Sequence, residues 1–167
     1  MNGPTMNNAP VSPEFFDALD SPPELAWSDA LLLGYAPMDR THEAFVQSVT
    51  ALRAAPDAEL VARLADLRQH LETHFGQEDL WMVETQFPAR DCHIDEHAAV
   101  LNSVREVQAV LEDGDVDNCR RLADELARWF PGHTDYLDSA LAHWMCKQRL
   151  GGKPVVIRRG IASGDQD

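Results

Sequence analysis

The chain has 167 residues, 44% of them hydrophobic, enough for one domain with a sizeable core. Its formal charge of -14 excludes a nucleic-acid partner and an anionic membrane surface, since both need a basic face. No apolar stretch approaches the ~18 residues of a membrane span, and the start lacks the pattern of a signal peptide, so the expected compartment is the cytoplasm.

Residues 1–23 are rich in Pro and Asn and lack apolar periodicity, and are expected to be a disordered extension in which only Phe15, Phe16 and Leu19 could dock. "LAWSDALLLGYAPMD" follows, expected as an ordered lead-in across a core and not as a regular helix. A first helix is expected over about 39–54, with Phe45, Val49 and Leu52 on one side, and "AAPD" breaks it. A second is expected over about 57–84, where Leu60, Leu64, Leu67, Leu71 and Phe75 recur at three- and four-residue steps. "QFPAR" ends it, because the residue before a proline resists the helical region. A third is expected over about 91–111 with Asp91 as N-cap. After the turn "EDGDVD" a fourth runs over about 117–146, interrupted by Pro131 and Gly132. Short connections imply an all-α, up-down-up-down four-helix bundle over 24–149. A short tail, 150–167, follows; its "PVVIRR" is expected to be loose, as terminal segments tend to be.

Cys92, Cys119 and Cys146 are odd in number and form no CxxC pair, so reduced thiols are expected. The seven histidines say more: His42 falls on helix one, His74 on helix two with Glu78 four residues later, His93 and His97 on helix three, and His133 on helix four with Asp138 five residues later. Four-residue spacing puts side chains on one helix face, one turn apart. "HIDEH" also fits the His-x-x-Glu-His pattern of a zinc peptidase with Glu96 as base. That reading needs a single zinc and a third ligand. The chain offers three more histidines and two carboxylates on other helices, and burying so many polar groups without partners costs on the order of 1–3 kcal/mol each. A metal centre inside the bundle removes that cost. Glu96, about 100° around the helix from His97, is then expected to face solvent. His70 and His143 are expected to be ordinary histidines.

Two bridging carboxylates, a bridging hydroxide and five histidines split three and two would leave one metal full at six ligands and the other open at five. Imidazole and carboxylate do not by themselves choose the metal, but a bridged pair in a bundle favours iron or manganese. Two divalent ions so held keep a net charge of about +1, suited to holding dioxygen and releasing it.

At this point the chain resembles the hemerythrin family, bacterial members in particular, over roughly residues 25–144. "LAWSDALLLGYAPMDRTHEAF" is similar to the family's lead-in and first helix, "HFGQEDLWM" to its second-helix motif, "FPARDCHIDEH" to its third and "WFPGHTDYLD" to its fourth. The resemblance implies two iron ions, oxo- or hydroxo-bridged, with His93, His97 and His133 on the saturated iron, His42 and His74 on the open one, and Glu78 and Asp138 bridging. It implies reversible dioxygen binding with no catalytic residue, and a pocket lined by Phe45, Phe75, Trp129 and Thr134. A monomer is the expected state. Two features depart from the family pattern. Thr134 replaces a usual aliphatic residue; its hydroxyl could hydrogen-bond the bound ligand, admit water, or bond back to its own helix. Pro131 could kink helix four, and a local distortion there could bring His133 and Asp138 together, since five residues span about 140° of an ideal helix. Two rivals stand beside the dioxygen carrier: a di-iron enzyme on the same scaffold, peroxidase-like or handling nitric oxide, and a sensor or interaction module without an attached output segment.

Overall fold

The computed structural model describes residues 24–156. The expected N-terminal extension, with Phe15, Phe16 and Leu19, lies outside the described residues, as does the tail beyond Val156. A short 3-10 turn at Asp29–Leu31 leads into α1 (Ala36–Ala54), α2 (Leu60–Glu84) and α3 (Arg90–Glu112). The fourth rod is α4 (Val116–His133), a π-helical segment (Thr134–Asp138) and α5 (Ser139–Leu150), one running into the next. Helices adjacent in sequence pack together, and α1 returns to pack on α4. This closes the four-helix bundle, and there is no strand among the described residues. No helix among them is long and apolar enough to cross a membrane.

The periodicity forms these helices. On α2, Leu60, Leu64, Leu67 and Leu71 are fully buried, and the same stripe runs on without a break into His74, Phe75, Glu78, Trp81 and Met82. On α3 the buried stripe starts with His93 and His97 and continues to Val104 and Leu111. The polar residues therefore stand where the pattern demands core residues. Above and below them are apolar layers: a large one built around Phe45, Val49, Leu64, Leu67, Leu126 and Phe130, and a smaller one of Tyr35, Met38, Trp81, Met82, Leu141 and Met145.

Several boundaries differ from expectation. α1 begins at Ala36, three residues before Asp39, because Pro37 suits the first helical turn, where no N–H partner is needed. Asp39 instead accepts the backbone N–H groups of Leu33 (2.7 Å) and Gly34 (3.1 Å), tying the lead-in to α1. Asp57–Glu59 is a 3-10 turn ahead of α2. Asp91 is not the N-cap of α3; Ala89 holds that position without a side-chain cap bond, and Asp91 sits in the first turn, where its charge still complements the helix dipole. Pro131 and Gly132 do not interrupt the fourth rod, which departs from α-geometry only at Thr134–Asp138. The carbonyl groups that end α1 are met by Arg120, which donates to Arg53 O (3.2 Å) and Ala55 O (2.7 Å) and pairs with Asp57.

The described start of the tail lies against the lead-in. Gly34, at φ +78°, lets the lead-in pass so close to Pro154 and Val155 that a Cβ there would meet Pro154 Cβ at 3.1 Å.

Candidate metal centre

His42, His74, Glu78, His93, His97, His133 and Asp138 come together in the middle of the bundle, all between 0 and 4% exposed. They fall into two groups that share Glu78: His42, His74 and Glu78, and Glu78, His93, His97, His133 and Asp138, with the ligand atoms of each group within 4.8 Å of one another. The carboxylates straddle the groups. Glu78 turns Oε1 toward His74 (3.0 Å) and His42 (3.6 Å), and Oε2 toward His97 (3.5 Å) and His93 (3.9 Å). Asp138 turns Oδ1 toward His93 (3.2 Å) and His133 (3.3 Å), and Oδ2 toward His42 (3.2 Å). One oxygen of each acid faces the three-histidine side and the other faces the two-histidine side.

The π segment supplies Asp138. Its signature is the i→i+5 hydrogen bond from Ser139 N–H to Thr134 O, which replaces the α-helical spacing just after His133. The wider turn brings His133 and Asp138, five residues apart, onto one side, so that Asp138 Oδ1 lies 3.3 Å from His133 Nε2. Sequence spacing suggested a distortion at this point; its form is a π bulge and not a proline kink.

The donor set suits a cation. His97 Nδ1 lies 2.7 Å from Asp79 Oδ1 and His133 Nδ1 lies 2.9 Å from Glu96 Oε1. A neutral imidazole carries one N–H, and next to a carboxylate that proton belongs on Nδ1. The Nε2 atoms of His97 and His133 are then bare lone pairs, yet they stand 3.3 Å apart, and His93 Nε2 stands 3.3 Å from His133 Nε2. Asp138 Oδ1 and Oδ2, Glu78 Oε2 and His42 Nε2 are buried and have no hydrogen bond of acceptable geometry, although His42 and Asp138 approach to 3.2 Å. Lone pairs aimed at a common point are repulsive among themselves and attractive to a cation, so the residues fit a metal centre.

The electrostatics agree. Burial works against charge at His42, Glu78, His133 and Asp138, and their neighbours outweigh it; at His97 burial prevails and lowers the pKa although Asp79 and Glu78 oppose it. Burial lowers the pKa of His42, while Asp138 and Glu78 bring it up to about 9. Burial and Asp138 raise that of Glu78, while His74 and His42 bring it down to about 2. Asp138 is held well below the usual carboxylate range by His133, His42 and His93, against its own burial. The acids are ionised, and the centre calls for positive charge.

Glu96 corrects an expectation. Its side chain is partly exposed but not a free charge in solvent: its Oε1 accepts from His133 Nδ1 and from Trp129 Nε1 (2.8 Å). An offset of about 100° from His97 points it out of the centre, but in a bundle that direction is the seam with the next helix, here α4. Asp79, one residue after Glu78, reaches across the seam from α2 to α3 in the same way. Sequence reasoning missed both because their partners lie on other helices.

Phe45, Phe75 and Thr134 are fully buried beside the centre, and Phe75 stacks on His97 at 4.0 Å between ring centres. Trp129 packs on His133 at 4.3 Å, and its rim touches both Phe45 and Phe75. Phe130, which the sequence did not single out, meets the edge of His42 at 5.3 Å and Phe45 at 4.4 Å. Thr134 does not bond back to its helix; its Oγ1 is buried without a hydrogen-bond partner. His70 stays outside the cluster as a neutral neighbour of His74, since burial and His74 pull its pKa down to about 4. His143 bonds its own helix at Ser139 O. Cys92, Cys119 and Cys146 are free thiols, and none joins the centre.

The chain is similar to known proteins. Residues 33–144 match the family described as Hemerythrin HHE cation binding domain. A bacteriohemerythrin of Ralstonia nicotianae is 39% identical over 126 residues, covering 75% of this chain and 92% of the relative. A myohemerythrin of Riftia pachyptila is 25% identical over 99 residues, covering 59% of this chain and 81% of the relative. With its bundle, its HHE-type histidines and these relatives, the chain belongs to the hemerythrin family.

Proposed function

We propose that the protein is a non-haem di-iron protein that binds dioxygen reversibly, in storage, delivery or sensing. The observation that carries this is the division of Glu78 and Asp138, one oxygen to each side of a three-histidine and two-histidine set. In this reading His93, His97 and His133 would hold one iron, His42 and His74 would hold the other, and Glu78 and Asp138 would serve both. The side with fewer nitrogens would leave a coordination position for one small ligand. Such a pair would supply two electrons to dioxygen on binding and take both back on release.

The chain's own residues do the rest. Phe45, Phe75 and Phe130 set apolar rings beside the two-histidine side. Thr134 and Trp129 join them, with Thr134 bringing a hydroxyl to an otherwise apolar surface. We place the protein in the cytoplasm on its three free thiols.

Loading with ferrous iron under nitrogen, followed by air, tests the reading. A visible charge-transfer band that fades when oxygen is purged is the expected result, at two irons per chain. Uptake of a single zinc with no band would overturn it. Prompt conversion to a stable oxidised form would move the assignment to a di-iron enzyme.

A further inference from the structure

Outside the seven residues, the two sides of the centre are supported unequally. On the three-histidine side, Asp79 on α2 accepts from His97 on α3, and Glu96 on α3 accepts from His133 on α4. Each carboxylate is the chain neighbour of a residue of the centre, and each reaches the histidine on the following helix. Trp129 donates its indole N–H to the same Oε1 of Glu96, which fixes that carboxylate in place. On the two-histidine side, the Nδ1 atoms of both histidines, His42 and His74, are buried and have no hydrogen-bond partner, whereas on the three-histidine side only that of His93 lacks one. His74 instead borders a cleft of about 450 Å³ between α1 and α2, lined also by Thr41, His70, Thr73 and Gln77.

We propose that Asp79 and Glu96 are positioning residues that ready His97 and His133 for metal, so that the three-histidine side binds its ion first and more tightly than the two-histidine side. This rests on the two-metal reading above. The cause is orientational. A carboxylate on Nδ1–H fixes which ring nitrogen is bare, holds the ring against rotation and makes Nε2 a better donor. His42 and His74 have no such partner, so their rings must choose a tautomer and a direction as the ion arrives. Outer partners of this kind are worth about 10–100-fold in metal affinity. Two of them on one side and none on the other separate the two binding steps.

The test is a titration of the metal-free full chain with Co(II), followed by visible absorption, with circular dichroism of each metal-free variant alongside. The wild type is expected to bind two ions in resolved steps. Asp79→Ala and Glu96→Ala are each expected to weaken the first step about 10–100-fold and leave the second within about 3-fold. Glu96→Gln keeps an oxygen that can accept both N–H groups but loses the charge, and is expected to recover part of the loss. That rescue separates positioning from simple damage to the fold. If the wild type binds two ions and both alanine variants bind as it does, the proposal is wrong. The same follows if the second step is the one weakened, or if Glu96→Gln binds no better than Glu96→Ala. A wild type that binds fewer than two ions would overturn the two-metal reading itself.

Discussion

The polar layer and the large apolar layer beside it are built on the same four helices and the same spacing, yet they hold together for different reasons. The apolar layer is self-sufficient. Leu60, Leu64, Leu67 and Leu71 are fully buried against Val49, Leu126 and Phe130, and burial alone stabilises them at about 1.5–3 kcal/mol each. The polar layer has no such independence. Bare nitrogens stand 3.3 Å apart and four carboxylate oxygens crowd five imidazoles. A helix register that serves a core position serves a ligand equally well. The difference lies in the side chain, and it divides the bundle into a layer satisfied by apolar burial and a layer whose buried donors suit an ion.

Removing metal should break this balance most visibly. Each ion that binds only the folded chain stabilises it by about 4 kcal/mol at a free concentration 1,000 times its Kd. Chelation should therefore lower the melting temperature strongly while leaving helical circular dichroism at room temperature largely intact. Scanning calorimetry with and without chelator measures this. An unchanged melting temperature would mean that the polar layer is satisfied by the polypeptide alone.

Leu67→Ala probes the other layer. It should cost about 2–5 kcal/mol through lost contacts and a residual cavity. The cost should be the same in loaded and metal-free protein, and metal stoichiometry should stay at two. Denaturant melts of both forms decide the matter; a cost present only in the loaded form would show that the layers are coupled. His74→Ala is the converse probe. It should leave one ion per chain and abolish reversible oxygen binding with most of the helix content retained. Oxygen binding that survives it would reassign the two-histidine side.

Acid and base sharpen the comparison further. In the metal-free chain His42 has its pKa raised from 6.5 to about 9. The stability this contributes is complete below pH 6.5 and fades as pH rises through 9. Glu78, lowered from 4.5 to about 2, contributes stability that is complete above pH 4.5 and is lost as pH falls through 2. The melting temperature of the metal-free protein should decline from about pH 6.5 to 9 on account of His42. In the loaded protein an ion occupies the place of that proton, and the decline should vanish. Equal slopes for the two forms would remove His42 from the centre.

How far the sequence reaches follows the same division. His74 with Glu78 and His93 with His97 could be placed because i,i+4 spacing within one helix is fixed by the covalent chain. The leucine stripe of α2 gave its buried face for the same reason. Asp79 and Glu96 could not be placed, since their partners His97 and His133 lie across helix seams whose register no local spacing encodes. The pairing of His133 with Asp138 was half legible. Five residues are wrong for an α-helix, which signals a distortion, but the choice between a proline kink and a π turn depends on which hydrogen bonds form. Asp91 failed as a cap because capping depends on where the turn "QFPAR" releases the chain, and Gln86 there takes φ +54°.

Thr134 stands on the border between the two layers, and the smallest predicted effect concerns which side it belongs to. It is fully buried, follows His133 and opens the π segment, and its Oγ1 has no hydrogen-bond partner. An unsatisfied buried hydroxyl costs about 1–3 kcal/mol, and valine fills nearly the same shape without it. If Thr134 belongs with the apolar layer, Thr134→Val should stabilise the metal-free protein by about 1 kcal/mol and leave the loaded protein's oxidation rate unchanged. If it belongs with the polar layer, the hydroxyl finds its partner only in the loaded centre. Thr134→Val should then stabilise the metal-free form alone, and the rate at which the oxygenated protein oxidises in air should change. The second pattern is the one expected here, because the hydroxyl sits at the start of the turn that delivers Asp138, where helix geometry has already yielded to the centre. Equal stabilisation of both forms with an unaltered oxidation rate would assign Thr134 to the apolar layer and leave the polar layer bounded by His133.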